Sequence, residues 1–199
     1  MEKNALGSTR NLKIGASLLI AAFLQITLVQ YINPGLRHID WLLLVVVYIG
    51  LQQREHQVTL STATLAGVIK DVSTGGRVIA ISGLAYLLAG YLADRISSVI
   101  VLDNLPVRIG TVVATSLINV VVQLVGYQIL RVPLAPLTGQ EALPAIMVLS
   151  LVGNLLAAIP FFVLLDNVFQ TTTRLGARRT EAMRGMRRRR RFISKKIKI

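Results

Sequence analysis

The chain alternates long apolar blocks with short polar connections. Hydrophobic residues make up 53% of its 199 residues, and most blocks approach the length that a helix needs to cross a bilayer. The pattern predicts six helices, over residues 12–32, 39–51, 58–72, 77–93, 107–130 and 145–169. We therefore predict an all-α fold, a polytopic membrane bundle of about six transmembrane helices that occupies residues 1–173.

The third predicted helix is the weakest membrane span. Thr59, Ser61, Thr62 and Thr64 interrupt it, and about a dozen residues cannot cross a core of roughly 30 Å as a straight helix facing lipid. Backbone at that depth has to be shielded by protein. We expect this helix to be tilted, enclosed or partly re-entrant, to follow a loop at 52–57, and to precede a fourth helix that residues 96–102 either extend or accompany along the surface.

Basic residues are concentrated at the end of the chain. Residues 174–199 hold 12 of the 22 Lys and Arg, and directly after a membrane helix such a tail is typical of binding to anionic lipids, at about 1 kcal/mol per charge. Phe192 is its one aromatic residue, so we expect no nucleic-acid partner. A membrane-tethered nucleic-acid or ribosome binder is a rival that depends on the tail alone. The predicted lipid contacts are Arg187, Arg188, Arg189, Arg190, Arg191, Lys195 and Lys196.

The distribution of Lys and Arg also predicts the orientation. With the N-terminus inside, the inner segments and the tail carry 18 of these residues and the outer segments carry four. By the positive-inside rule, we expect both termini of this multi-pass protein to lie in the cytoplasm.

The composition disfavours catalysis and metal binding. The chain has no Cys and two isolated His residues, so neither thiolate nor His-rich metal sites are expected. Its acids stand singly near helix ends, where acid–base chemistry would need them paired. We predict that the chain is not an enzyme and has no cofactor or metal.

Several polar residues lie inside the predicted helices. Ser116, Asn119 and Gln123 follow i, i+3, i+7 spacing and share one face of the fifth helix, and Asn154 lies in the sixth. These residues could line a polar groove for a small molecule, or they could hydrogen-bond between helices. We favour hydrogen bonding between helices, because amides commonly join the helices of membrane bundles.

Charged and small residues mark the third and fourth helices. Lys70 and Asp71 adjoin the weak third span, where an ionisable residue is a functional candidate, although pairing or helix capping would also explain them. Gly83 and Gly90 share a face of the fourth helix, with Tyr86 between them, a pattern that lets another backbone approach closely.

Four features follow one another along the first half of the chain: an apolar helix with a Gln, an Asp before a leucine-rich second helix (IDWLLLVVVY), the stretch LAGVIKDVSTGG, and a fourth helix with Gly and Tyr (GLAYLLAGYL). Their order resembles the MreD family of rod shape-determining proteins. The resemblance covers about residues 12–169. The residues that match it are Gln25, Asp40, Gly67, Asp71, Gly75, Gly76, Gly83, Tyr86 and Gly90.

The resemblance implies a non-enzymatic scaffold of the cell-elongation machinery in the plasma (inner) membrane of a bacterium, which supports peptidoglycan synthesis and cell shape. Its implied partners are an MreC-like bitopic coiled-coil protein, the elongation glycosyltransferase with its penicillin-binding transpeptidase, and the actin-like MreB filament. It also implies a bundle similar to the substrate-binding subunits of vitamin importers. The alternative function is therefore a small-molecule (vitamin-like) uptake subunit with a ligand in the polar groove.

Overall fold

A computed structural model describes residues 2–27, 38–52, 56–73, 80–99, 105–131, 145 and 147–169. Within these residues the regular structure is helical and no strand occurs, which confirms the all-α prediction. The six helices are α1 (Glu2–Thr27), α2 (Trp41–Gln52), α3 (His56–Ser73), α4 (Ile81–Val99), α5 (Leu105–Ile129) and α6 (Met147–Phe169).

The boundaries of three helices differ from the prediction. α3 begins at His56 and runs for 18 residues without a break, a length of about 27 Å. The loop predicted at 52–57 is therefore wrong at both of its ends, where Gln52 ends α2 and His56 begins α3. The polar residues near its start suggested a loop, but Gln is a good helix former and the helix includes them. α4 continues to Val99, so the first part of the apolar patch at 96–102 lengthens this helix. α1 begins at Glu2, ten residues earlier than predicted.

Two helices are long and apolar enough to cross a membrane by themselves. These are the stretches Pro106–Ile129 and Met147–Phe169, and only 28% and 33% of their apolar windows are buried. Outward-facing apolar side chains at this density suit a lipid environment.

α2 is the central helix of the bundle. It has 12 residues, or about 18 Å, which is too short to cross a hydrocarbon core of about 30 Å. All ten residues from Leu42 to Leu51 are buried, and α2 packs against α1, α3, α4 and α5. A helix that is apolar all round belongs in a protein core or in lipid, and the four helices around α2 place it in the core.

Small residues bring α2, α3 and α4 close together. A Cβ atom on Gly67 of α3 would lie 2.3 Å from the Cα of Gly83 in α4, and one on Gly50 of α2 would lie 2.8 Å from the Cβ of Ala93. A Cβ on Gly90 would lie 3.0 Å from that of Ala63. Glycine at these positions lets the backbones approach to distances that a side chain would prevent.

The described part of the chain divides into two units. The first is Met1–Phe162 and holds the packing described above; of the second, Val163–Ile199, the structure describes the end of α6. The predicted boundary between bundle and tail at residues 173 and 174 lies outside the described residues, as do the seven predicted lipid contacts, and both remain predictions.

Candidate functional site

Asp40 caps the N-terminus of the central helix α2. Its side-chain Oδ1 accepts a hydrogen bond from the backbone N–H of Leu43 at 3.3 Å, and its carbonyl oxygen accepts from the N–H of Leu44 at 3.1 Å. This is the usual geometry of an Asp N-cap, which satisfies N–H groups that have no partner inside the helix. Unlike most caps, the Asp40 side chain is buried, at 5% exposure.

Three other helices donate to the same carboxylate. The ammonium of Lys70 in α3 forms an ion pair with Oδ2, the hydroxyl of Tyr86 in α4 donates to Oδ1, and the amide of Asn119 in α5 donates to Oδ2 at 3.4 Å. With the N–H of Leu43 these make four donors, two on each oxygen. A carboxylate has about four acceptor positions, so the hydrogen-bonding capacity of Asp40 is filled within the bundle.

The remaining two helices bind the backbone at the start of α2. Asn154 of α6 accepts from the N–H of Asp40 at 2.7 Å through Oδ1, and Gln25 of α1 accepts from the N–H of Trp41 at 3.0 Å through Oε1. The Trp41 ring packs edge-on against Phe161, with the ring centroids 5.4 Å apart. Residues 40 and 41 are thus the point at which all six helices meet, and we call Asp40 with its four donors the Asp40 cluster.

A second layer of amide contacts supports the Asp40 cluster. The Nδ2 of Asn154 donates to the hydroxyl of Ser116 at 3.1 Å, and the Nε2 of Gln123 donates to the Oδ1 of Asn119 at 3.0 Å. Ser116, Asn119 and Asn154 are buried. Ser116 and Asn119 of the polar face predicted on α5 therefore bond to groups outside α5, whereas Gln123 donates to Asn119 within the helix.

The Asp40 cluster lies at the ends of the short helices α2 and α3, but along the length of the longer helices α5 and α6. Asn119 is ten residues from the end of α5 at Ile129, and Asn154 is seven residues from the start of α6 at Met147. At 1.5 Å per residue these positions are about 15 and 10 Å from the helix ends. The Asp40 side chain is 5% exposed and that of Lys70 is 17% exposed. An ion pair so largely removed from solvent needs its hydrogen bonds, because removing either partner leaves the other charge without its counter-ion.

Asp71 makes different contacts from its neighbour Lys70. Its carboxylate accepts from the N–H of Ala80 at 2.7 Å and from the N–H of Ser82 at 3.3 Å, so it caps α4 from the end of α3. Asp71 is buried, and Ala80 has a φ of 99°, a left-handed value that favours glycine. Of the sequence-based alternatives for this pair, capping describes the contacts of Asp71, whereas Lys70 pairs with Asp40.

The opposite ends of α3 and α4 are joined by a pair that sequence reasoning missed. The Nδ1 of His56 contacts the Oδ2 of Asp94; the Asp94 side chain is 4% exposed and that of His56 is 63% exposed. The polar pattern predicts His56 in a loop, so it does not predict this contact. This contact joins the start of α3 to the last turns of α4, whereas Asp71 joins the end of α3 to the start of α4.

Most of the family-motif residues lie in or beside these contacts. Gln25, Asp40, Asp71 and Tyr86 make hydrogen bonds between helices, and Gly67, Gly83 and Gly90 lie where α3 and α4 pack. Gly75 and Gly76 lie outside the described residues. Across the described part of the chain, no group of three or more His, Cys, Asp or Glu residues could hold a metal ion.

Fold and contacts together define a helical membrane protein whose buried polar residues join its helices. The particular family follows from comparison with known proteins. The family model described as rod shape-determining protein MreD matches residues 8–169, and the chain belongs to this family. MreD proteins determine rod shape as membrane components and are not known as enzymes. No significant match was found among curated proteins or solved structures, so the similarity to vitamin-importer subunits remains a prediction.

Proposed function

We propose that the chain is a scaffold of the bacterial cell-elongation machinery that holds partner membrane proteins in place and has no catalytic step of its own. It is a multi-pass protein of the plasma membrane with both termini in the cytoplasm. Its proposed partners are an MreC-like bitopic coiled-coil protein, the elongation glycosyltransferase with its penicillin-binding transpeptidase, and the MreB filament. Membership of the MreD family supports this assignment.

The observation that carries the proposal is the saturation of the Asp40 cluster. A ligand-binding subunit needs polar groups that await a ligand, whereas the four acceptor positions of Asp40 are filled by donors of the same chain. Ser116, Asn119, Gln123 and Asn154 are likewise engaged with one another or with residue 40. This use of polar groups favours a rigid bundle over the alternative of a vitamin-like uptake subunit.

The scaffold would act through its outer faces. Large apolar side chains are exposed along α5 (Leu117, Val121 and Val125) and along α1 (Leu19 and Phe23). In a membrane such faces are covered by lipid or by partner helices, which associate through close packing. The basic tail would hold the bundle at the anionic inner leaflet.

Capture from native membranes tests this proposal. The full chain and a variant that lacks residues 187–199 are tagged, solubilised in mild detergent and analysed by mass spectrometry. We expect both to retain an MreC-like protein and a penicillin-binding transpeptidase, because the bundle makes those contacts. Capture of transporter ATPase subunits would favour the uptake alternative, and capture of RNA or ribosomes by the full chain alone would favour the tether rival.

A further inference from the structure

The donors of the Asp40 cluster have the composition of a carboxylate-binding site. They comprise a cation from Lys70, a hydroxyl from Tyr86, an amide from Asn119 and a backbone N–H of Leu43 at a helix N-terminus. Charged donors and the N–H groups of a helix N-terminus are the groups that proteins use for free carboxylates. Here the structure already shows a carboxylate among them, that of Asp40.

Contacts that do not involve the Asp40 side chain hold these donors in place. Asn119 is oriented by Gln123, which donates to its Oδ1 at 3.0 Å. The Lys70 ammonium lies 5.7 Å from the centre of the Tyr86 ring, and Tyr86 itself is 0% exposed. A donor set that is supported in this way keeps its geometry when its ligand is absent.

The start of α2 is also held independently of that side chain. Asn154 accepts from the N–H of residue 40 and Gln25 accepts from the N–H of Trp41, and neither bond needs a side chain at position 40. Removal of the Asp40 side chain therefore leaves the four donors around an empty volume the size of the missing group.

We propose that these four donors form a binding site for a small carboxylate, which the chain occupies with the side chain of its own Asp40. The Asp40 carboxylate acts as a ligand that is covalently attached to the chain. When the Asp40 side chain is deleted, free acetate binds in its place. The match is close in shape, because Asp40→Gly deletes a CH₂–COO⁻ group and acetate is CH₃–COO⁻. The inference goes beyond the proposed function and does not depend on it.

The test uses the full chain, purified in mild detergent, with Asp40→Gly. The chain has one Trp, Trp41, directly beside the site, so its fluorescence reports on occupancy while thermal unfolding reports on stability. We expect Asp40→Gly to unfold at a lower temperature than the wild type. Sodium acetate should raise that temperature in a saturable way, because a ligand that binds only the folded state stabilises it; sodium chloride at equal ionic strength should not.

Matched variants separate site binding from general salt effects. Asp40→Asn keeps the volume of the side chain filled, so it should show no response to acetate. Asp40→Ala keeps the Cβ, so it should respond to formate and poorly to acetate. Adding Lys70→Met to Asp40→Gly removes a charged hydrogen bond and should weaken acetate binding on the order of tenfold or more.

Two results would overturn the proposal. One is an equal response of Asp40→Gly to acetate and to chloride; the other is an equal acetate response of Asp40→Gly and Asp40→Asn. If Asp40→Gly does not accumulate in cells, cell-free synthesis into lipid vesicles with acetate or with chloride gives the same readout as a folded yield. A yield that acetate fails to raise above the chloride level would also contradict the proposal.

Discussion

Substituting Gly67 with Ala is the sharpest test of how α3 packs on α4. A Cβ at this position would lie 2.3 Å from the Cα of Gly83, 2.6 Å from its N and 2.8 Å from the carbonyl oxygen of Ser82. Carbon atoms in contact are normally about 3.5–4.0 Å apart. All three atoms belong to backbone, which cannot rotate away, so α3 and α4 have to separate by more than about 1 Å at this point.

The expected cost follows from two opposing effects. Forcing an extra methyl into a packed core costs about 1–3 kcal/mol, and replacing a helical glycine by alanine returns up to about 1 kcal/mol. Because the clash is with backbone, we take the upper end of the first range and expect Gly67→Ala to lose about 2 kcal/mol. The separation also acts on the ion pair of Lys70, which lies three residues further along α3.

Gly83→Ala is the matched control, because a Cβ on Gly83 meets nothing within 4 Å. This variant keeps the gain in helix propensity and meets no clash, so its stability should be unchanged or up to about 1 kcal/mol higher. Both variants are compared with the wild type by thermal unfolding in detergent, where about 1 kcal/mol corresponds to roughly 2–4 °C for a chain of this size. Equal midpoints for Gly67→Ala and Gly83→Ala would refute the close approach of α3 and α4.

Three further substitutions test individual contacts. Asp71→Ala removes the cap of α4 and should cost about 1–2 kcal/mol of stability in thermal unfolding. Asp71→Asn keeps one acceptor oxygen and should lose less stability. Equal losses for the two variants would argue against capping. Tyr86→Phe removes only the hydroxyl that donates to Asp40 and should cost about 1.5–3 kcal/mol, seen as faster proteolysis of the folded protein; an unchanged rate would count against that bond. Ala80→Gly relieves a φ of 99° and should raise the unfolding midpoint by the equivalent of about 1 kcal/mol, and a lower midpoint would contradict the strained backbone.

Apolar block length predicted the fold class and the number of helices, but it missed some helix ends. The blocks at 107–130 and 145–169 agree closely with α5 and α6, because long apolar runs need no partner to define them. α3 was predicted too short, because its first turn is polar and is held by a contact between His56 and Asp94. Contacts between residues 38 positions apart leave no trace in a local pattern.

The sequence identified polar residues of the candidate site, but it did not reveal which of them contact each other. The i, i+3, i+7 spacing placed Ser116, Asn119 and Gln123 on one face, and the structure gives each a polar partner. The role of Asp40 as the meeting point could not be read from spacing, since its partners lie 30 to 114 residues away along the chain.

The small residues of α3 and α4 show the same limit. The spacing of Gly83 and Gly90 indicated a close helix contact, yet it is Gly67 of α3 whose missing side chain makes room for the backbone of Gly83. Spacing within one helix identifies a face, but it does not identify which glycine points at the neighbour.

A double-mutant cycle between Asp40 and Lys70 most directly tests whether one buried ion pair holds the bundle together. Asp40→Asn, Lys70→Met and the double variant are unfolded under the same conditions. We predict that each single variant is strongly destabilised, because it leaves the other group buried without its charged partner. The double variant should be more stable than the sum of the two losses by about 1–3 kcal/mol. Losses that simply add would show that the two residues do not depend on each other, and would contradict the Asp40 cluster as the point where the six helices are joined.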